Sequence, residues 1–102
     1  MAVIRLREIA LDSLRNPLTG LFSKVKFRED LAAELGRLDE EGSFKAVALD
    51  LDNFKRINDT LGHAGGDEVL KRFAAGLAEA VGTEGTAYHL SGDEFALTLR
   101  VV

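Results

Sequence analysis

"HLSGDEFALTL", residues 89–99, sets Ser91-Gly92-Asp93-Glu94 between two runs in which apolar side chains alternate with small or polar ones. Alternation with period two is the mark of a strand, so the stretch reads as a β-hairpin with its turn at 91–94. Turn geometry by itself favours Asn-Gly or Asp-Gly at such a tip. Two adjacent carboxylates there point to something else that the fold brings to the same edge.

Working outward, "TAYHL" (86–90) supplies the strand before the turn, and Phe95, Leu97, Leu99 and Val101 alternate along the strand after it. From Asp67 a helix carries Leu70, Phe73, Leu77 and Val81 on one side, and "GTEG" (82–85) stops it. "DNFKRINDTLGHAGG" (52–66) reads as a connection with one helical turn, closing on glycines. "FKAVALDL" (44–51), short and strongly apolar, reads as a buried central strand. A helix capped by Ser23 and running to about Glu41 repeats Phe27, Leu31, Leu35 and Leu38 at helical spacing. "RNPLTGL" (15–21), with the chain's only proline, separates it from an N-terminal helix over residues 3–14 marked by Ile4, Leu11 and Leu14. That helix is too short to establish a coiled coil.

After the first helices the order is strand, helix, strand, hairpin, strand, the first part of a split β-α-β arrangement. The fold class is α/β in the broad sense, an α+β sandwich with helices packed on a central antiparallel sheet. A right-handed crossover leaves a gap between the first two strands, which the strand after the hairpin can fill. The first two strands then run the same way, and Asp50 and Asp52 emerge on the same edge as the 91–94 turn.

Asp50 and Asp93 would face a common space there, with Asp52 and Glu94 beside them. Like charges in one site repel and call for a cation or a raised pKa. Hard carboxylate oxygens without Cys or His suit Mg²⁺ or Mn²⁺, which complete their shells with water and phosphate oxygens. Gly92 permits close approach of backbone to a ligand, and the connection after Asp52 can offer amides to phosphates. The plainer alternative is that these acids merely end a strand and decorate a turn. Taken singly, Asn58 reads as a loop residue, Asp67 as a helix-start residue stabilised by the dipole, His63 as a loop histidine and His89 as a half-buried packing residue.

At 102 residues the chain has room for one domain. The absence of cysteine excludes disulfides and thiolate metal sites and fits a reducing, cytoplasmic setting. No apolar run approaches the roughly 18 residues of a membrane span. With a net charge of −4 and its 13 Lys and Arg dispersed, the chain is not built for nucleic acid.

Three stretches together resemble the diguanylate cyclase family, the GGDEF domain. "SGDEF" (91–95) resembles the name motif with Ser in place of the first Gly; "LDLDNFKRINDTLGHAGGDEVLKRFA" (49–74) resembles the family's long internal stretch; "NPLTGLFSK" (16–24) resembles its opening motif. The resemblance implies a palm-type, ferredoxin-like fold over residues 16–102, preceded by a signalling-type helix over 1–15. It implies condensation of two GTP into cyclic di-GMP with release of two pyrophosphates, at a Mg²⁺-dependent site shared by two facing domains of a homodimer. By position, Asp50 and Asp93 resemble the metal-binding acids, with the Leu51 carbonyl a further ligand, and Asp93 and the adjacent Glu94 are the motif acids of catalysis. Asn58 and Asp67 resemble the guanine-recognising pair, and Phe54, Lys55 and Gly92 lie where the family surrounds the phosphates. An upstream sensory domain is the partner the resemblance implies on the same polypeptide.

The departures are specific. Ser91 adds a side chain where the family prefers Gly, and His89 stands where it usually has Arg. Asn16, Ser23 and Lys24 replace the Asp, Asn and Arg of the opening motif. Gly82-Thr83-Glu84-Gly85 occupies the place of the Arg-x-x-Asp product-inhibition site, so feedback through that site is not expected. Family domains continue past Val102, so the expected domain is partial at its C-terminal side, with the first strand's edge exposed and prone to recruit another chain. The alternative function is a catalytically silent GGDEF-like module that binds GTP or a protein partner.

Overall fold

A computed structural model describes residues 14–37 and 43–101 of the chain. Helix α1 spans Lys24–Leu35, strand β1 Ser43–Asp50, helix α2 Phe54–Val81, β2 Gly85–Ser91 and β3 Glu94–Val101. The sheet order is β1-β3-β2, with β3 antiparallel to both neighbours. β1 and β2 are therefore parallel, joined by α2 as a crossover, and the hairpin's second strand fills the gap between them.

β3 organises the two faces. Phe95 is fully buried against α2, edge-on to Phe73 at 4.8 Å between ring centroids. Leu70, Ala74, Leu77 and Val81 bury the facing stripe of α2, and Leu49, Leu97 and Leu99 close the layer. On the opposite face Ala96 and Thr98 are buried with Tyr88, whose ring meets Phe27 of α1 edge-on at 4.9 Å. The Tyr88 hydroxyl donates to Asp30 Oδ2 at 2.6 Å and accepts from the Thr98 hydroxyl at 3.2 Å. Asp30 is also paired with Lys26 at 2.9 Å, and Arg100 of β3 pairs with Glu34 of α1.

Several expectations are corrected. α1 stops at Leu35 with Gly36 as its C-cap, short of Glu41, and Leu35 is 67% exposed, outside any apolar stripe; Leu38 lies outside the described residues. The N-terminal helix falls outside them through residue 13, and Leu14 and Arg15 sit in a turn and a β-bridge to Phe22. β1 is an edge strand among the described residues, with Ala46, Val47 and Ala48 exposed, in place of the buried central strand its composition indicates. Residues 54–66 are helical well beyond one turn, broken only at Gly62, whose φ of 76° and ψ of 173° leave the helical region.

The glycines there serve close approach within a helix. A Cβ on Gly66 would lie 1.8 Å from Asn58 Oδ1, and one on Gly65 would lie 2.4 Å from Leu61 Cβ. Such contacts let the segment beyond the break fold back on the segment before it.

Leu70→Ala should cost about 2–5 kcal/mol in a chemical denaturation experiment, because it opens a cavity in the buried stripe between α2 and the sheet. Burial, followed by the bond to Asp30, pushes the Tyr88 hydroxyl up to about 12 from its ordinary value of 10.0. Above the ordinary value the unfolded chain loses that proton while the folded chain keeps it, so stability falls as pH rises. On the order of 2 kcal/mol should be lost across that alkaline range. Tyr88→Phe should flatten this part of the stability–pH curve.

Candidate functional site

The register of β1 on β3 ends at Asp50 opposite Glu94. One residue further, the Leu51 amide donates to the Asp93 carbonyl at 3.0 Å. These two pairings carry Asp50, Leu51, Asp93 and Glu94 to one edge of the sheet. Asp50, Asp52 and Glu94 are exposed and Asp93 is half-buried, so the cluster faces solvent while its backbone is tied to the core. Like charges directly opposite on neighbouring strands are destabilising, so the Asp50–Glu94 pairing is not a device for holding the sheet together. Among the described residues none of these four acids has a Lys, Arg or His within 4.0 Å.

The turn itself is tight. Ser91 pairs with Glu94 across Gly92 and Asp93, after a register irregularity between His89 and Ser91. Gly92 has φ of +32° and nothing within 4 Å of where a Cβ would stand, so it is free of packing and open to a ligand. Ser91 is exposed.

α2 starts three residues beyond Leu51. Its N-cap Asn53 adopts the left-handed conformation at φ 61°, and the Ile57 amide closes the first turn on the Asn53 carbonyl at 3.1 Å. The amides of Phe54, Lys55 and Arg56 precede that first bond and have no intrahelical acceptor, which leaves donors at the positive end of the helix dipole. Phe54 is half-buried against the core and Lys55 is exposed. Asn58 lies one turn on, its side chain set over Gly66, the residue before exposed Asp67. The break at Gly62 thus brings Asn58 back beside the turn that carries Asp67, which neither residue's place in the sequence reveals.

Among the described residues no three His, Cys, Asp or Glu side chains converge as a metal cage. The donors on this edge are carboxylates and main-chain carbonyls, a set that fits a hard divalent cation drawing its remaining ligands from water and phosphate. His63 is exposed.

His89 departs from the half-buried packing role. It is 2% exposed, stacked on Phe95 at 4.2 Å and 6°, and hydrogen-bonded through both ring nitrogens, to Thr19 Oγ1 and to the Gly92 carbonyl. Thr19 was not among the candidate site residues. Its place in "NPLTGL" gives no sign of a partner 70 positions away.

The comparisons with known proteins agree with this architecture. The chain is 46% identical to the diguanylate cyclase DgcN of Escherichia coli over 85% of its own length and 21% of the relative's. It is 32% identical to the diguanylate cyclase DgcS of Shewanella oneidensis, over 92% of its length and 32% of the relative's. The chain thus spans less than a third of these curated relatives. Among solved structures, it superposes on a sensory box/GGDEF family protein of Caulobacter crescentus with a TM-score of 0.80 at 35% identity, over 86% of this chain and 57% of the other. It superposes on the coiled coil and GGDEF domain of Caulobacter crescentus DgcB, solved in complex with c-di-GMP, with a TM-score of 0.84 at 28% identity, over 99% and 56% of the two chains. Residues 13–102 match the family described as "Diguanylate cyclase, GGDEF domain", and with the palm-like sheet, the crossover helix and the acidic hairpin in place, the chain belongs to that family.

Proposed function

We propose that this domain condenses two molecules of GTP into cyclic di-GMP and two pyrophosphates, each domain of a homodimer presenting one GTP to the other. The observation that carries the reading is the β1–β3 register, which sets Asp50 opposite Glu94 and ties Leu51 to Asp93. Four carboxylates gather on that edge beside a helix N-terminus whose first amides have no intrahelical acceptor, a juxtaposition that supports a metal–phosphate site.

In this reading Asp50, Asp93 and the Leu51 carbonyl would hold Mg²⁺, or Mn²⁺. The metal supplies neutralisation of charge on the α-phosphate and a more acidic hydroxyl. Phe54 and Lys55 at the start of α2, together with Gly92, surround the phosphates; the helix amides donate to their oxygens. Asp67 and Asn58 take the guanine edge, the carboxylate accepting from the ring N1–H and the exocyclic amino group and the side-chain amide donating to the carbonyl oxygen. The 3′-oxygen of one GTP then forms a bond to the α-phosphorus of the other while the bond to pyrophosphate breaks. Asp93 receives the hydroxyl proton and Glu94 adds negative charge beside it. A second such transfer closes the ring. Because each domain holds one nucleotide, a lone domain cannot complete the reaction.

The absence of cysteine fits a cytoplasmic setting, and no described helix is long and apolar enough to cross a membrane. An upstream sensory domain is a natural source of control. Ser91, exposed at the tip, supports a second reading in which the domain binds GTP or a protein partner without turning it over.

Incubation with GTP and Mg²⁺, followed by chromatography, should yield cyclic di-GMP and pyrophosphate. Asp93→Ala should lower the rate by about 10²-fold or more with the fold retained, the scale of losing a positioned proton acceptor. GTP binding without product in the unmodified chain would move the assignment to the silent module. Gly66→Ala should displace the Asn58 side chain and weaken GTP binding by about tenfold, the scale of one lost hydrogen bond. Titration against ATP would reveal whether that loss is specific to guanine.

A further inference from the structure

We propose that His89 is a positioning residue for the hairpin tip, a neutral imidazole that links the 16–22 loop to the peptide bond preceding Asp93. The inference deepens the proposed function and rests on it only for its kinetic consequence.

The bonding pattern defines the tautomer. Nε2 lies 2.8 Å from the Gly92 carbonyl oxygen, which can only accept, so Nε2 carries a proton. In a neutral ring Nδ1 is then bare and accepts from the Thr19 hydroxyl at 3.1 Å. The Thr19 oxygen in turn accepts from the Leu21 amide at 3.4 Å, leaving its own proton for His89. Asn16 holds this loop from inside, its Oδ1 accepting from the amides of Leu18 at 2.9 Å and Thr19 at 3.4 Å. A one-way chain of donors thus runs from Leu21 through Thr19 and His89 to Gly92.

The ring has little room to leave this arrangement. It is buried, stacked on Phe95, and its own backbone amide donates to the Phe22 carbonyl at 2.9 Å. The target is equally particular. The Gly92 carbonyl belongs to the same peptide plane as the Asp93 amide, while the Asp93 carbonyl accepts from Leu51. Asp93 is therefore held between two pinned peptides, one by His89 and the other by β1. Glycine at 92 leaves the first of these planes free to rotate unless something fixes it, and nothing lies within 4 Å of where a side chain at 92 would begin. A carboxylate whose task depends on a few tenths of an ångström needs both pins.

Two substitutions separate the halves of the chain. The amide of Gln reaches about as far as imidazole Nε2, whereas that of Asn reaches only as far as Nδ1. His89→Asn keeps a partner for Thr19 and releases Gly92; His89→Gln keeps a donor for Gly92. In ¹⁵N spectra the unmodified protein should show Nε2 protonated and Nδ1 bare. Hydrogen exchange at the Leu51 amide should speed up by about tenfold in His89→Asn and be restored in His89→Gln, the scale of one lost hydrogen bond. With GTP and Mg²⁺, His89→Asn should lower kcat by about tenfold with KM within about threefold, as expected when Asp93 is misplaced with the nucleotide still bound. A protonated Nδ1, whether Nε2 is bare or protonated, or equal Leu51 exchange in the two variants, overturns the inference. If the unmodified protein forms no cyclic di-GMP but the tautomer and the exchange contrast hold, the positioning role stands and the proposed activity falls.

Discussion

Everything at the acidic edge depends on one constraint, the register of β3 between its two neighbours. β3 is bonded along both sides and covered on both faces, so it has one position in which Phe95 meets α2 and Thr98 meets Tyr88. A slip of one residue against β1 would invert every side chain of the slipped strand. Leu49 would leave the apolar layer and Asp50 would turn toward it. The register that buries the core is thus the register that delivers Asp50 to Glu94 and Leu51 to Asp93. The site inherits its geometry from the apolar packing that begins at the residues next to it, Leu49 and Phe95.

The two faces of the sheet fix that register by different means. On the α2 face, contact is apolar and non-directional, with Leu70, Ala74, Leu77 and Val81 closing over Phe95. Such a layer gains from area and tolerates small shifts. On the α1 face the contacts are directional: a buried phenol bonded to a carboxylate and a hydroxyl, and an arginine paired across to the helix. Burying Tyr88 is tolerable because both partners of its hydroxyl are present. Apolar burial supplies most of the driving force, and the hydroxyl bonds discriminate one alignment from its neighbours.

How much of this was legible in the sequence depends on whether the signal is periodic or a matter of distant contact. The period-two run around 91–94 and the 3.6-period run of Leu70, Leu77 and Val81 indicated the hairpin and the crossover helix directly, because side-chain direction follows from those periods, and the handedness of the crossover then set the strand order. β1 misled because an apolar composition signals burial on both faces, while Ala46, Val47 and Ala48 are exposed among the described residues. The 54–66 segment misled because Gly62, Gly65 and Gly66 in close succession resemble a turn. Only Gly62 breaks the helix, and Gly66 is there so that Asn58 can lie on it. A glycine's use in close approach depends on a partner that local sequence does not name. The same holds for His89, whose two hydrogen-bond partners lie in separate loops.

The acidic edge is therefore costly in itself and held by neighbours that are not. Asp50 faces Glu94 at a cross-strand position where opposite charges would strengthen the pair, and Asn53 adopts a left-handed backbone that is uncommon for residues other than Gly. Both features sit at the ends of elements whose interiors are regular. The bonds that hold the edge are neutral: Leu51 to Asp93, Ile57 to Asn53, His89 to Gly92. None consumes a carboxylate oxygen, so the acids stay available to a cation or to water. Had a lysine or arginine paired with them, the edge would be more stable and the oxygens already occupied. Repulsion among the acids is relieved when a cation neutralises them, and it is this unpaired charge that the proposed function assigns to a divalent metal.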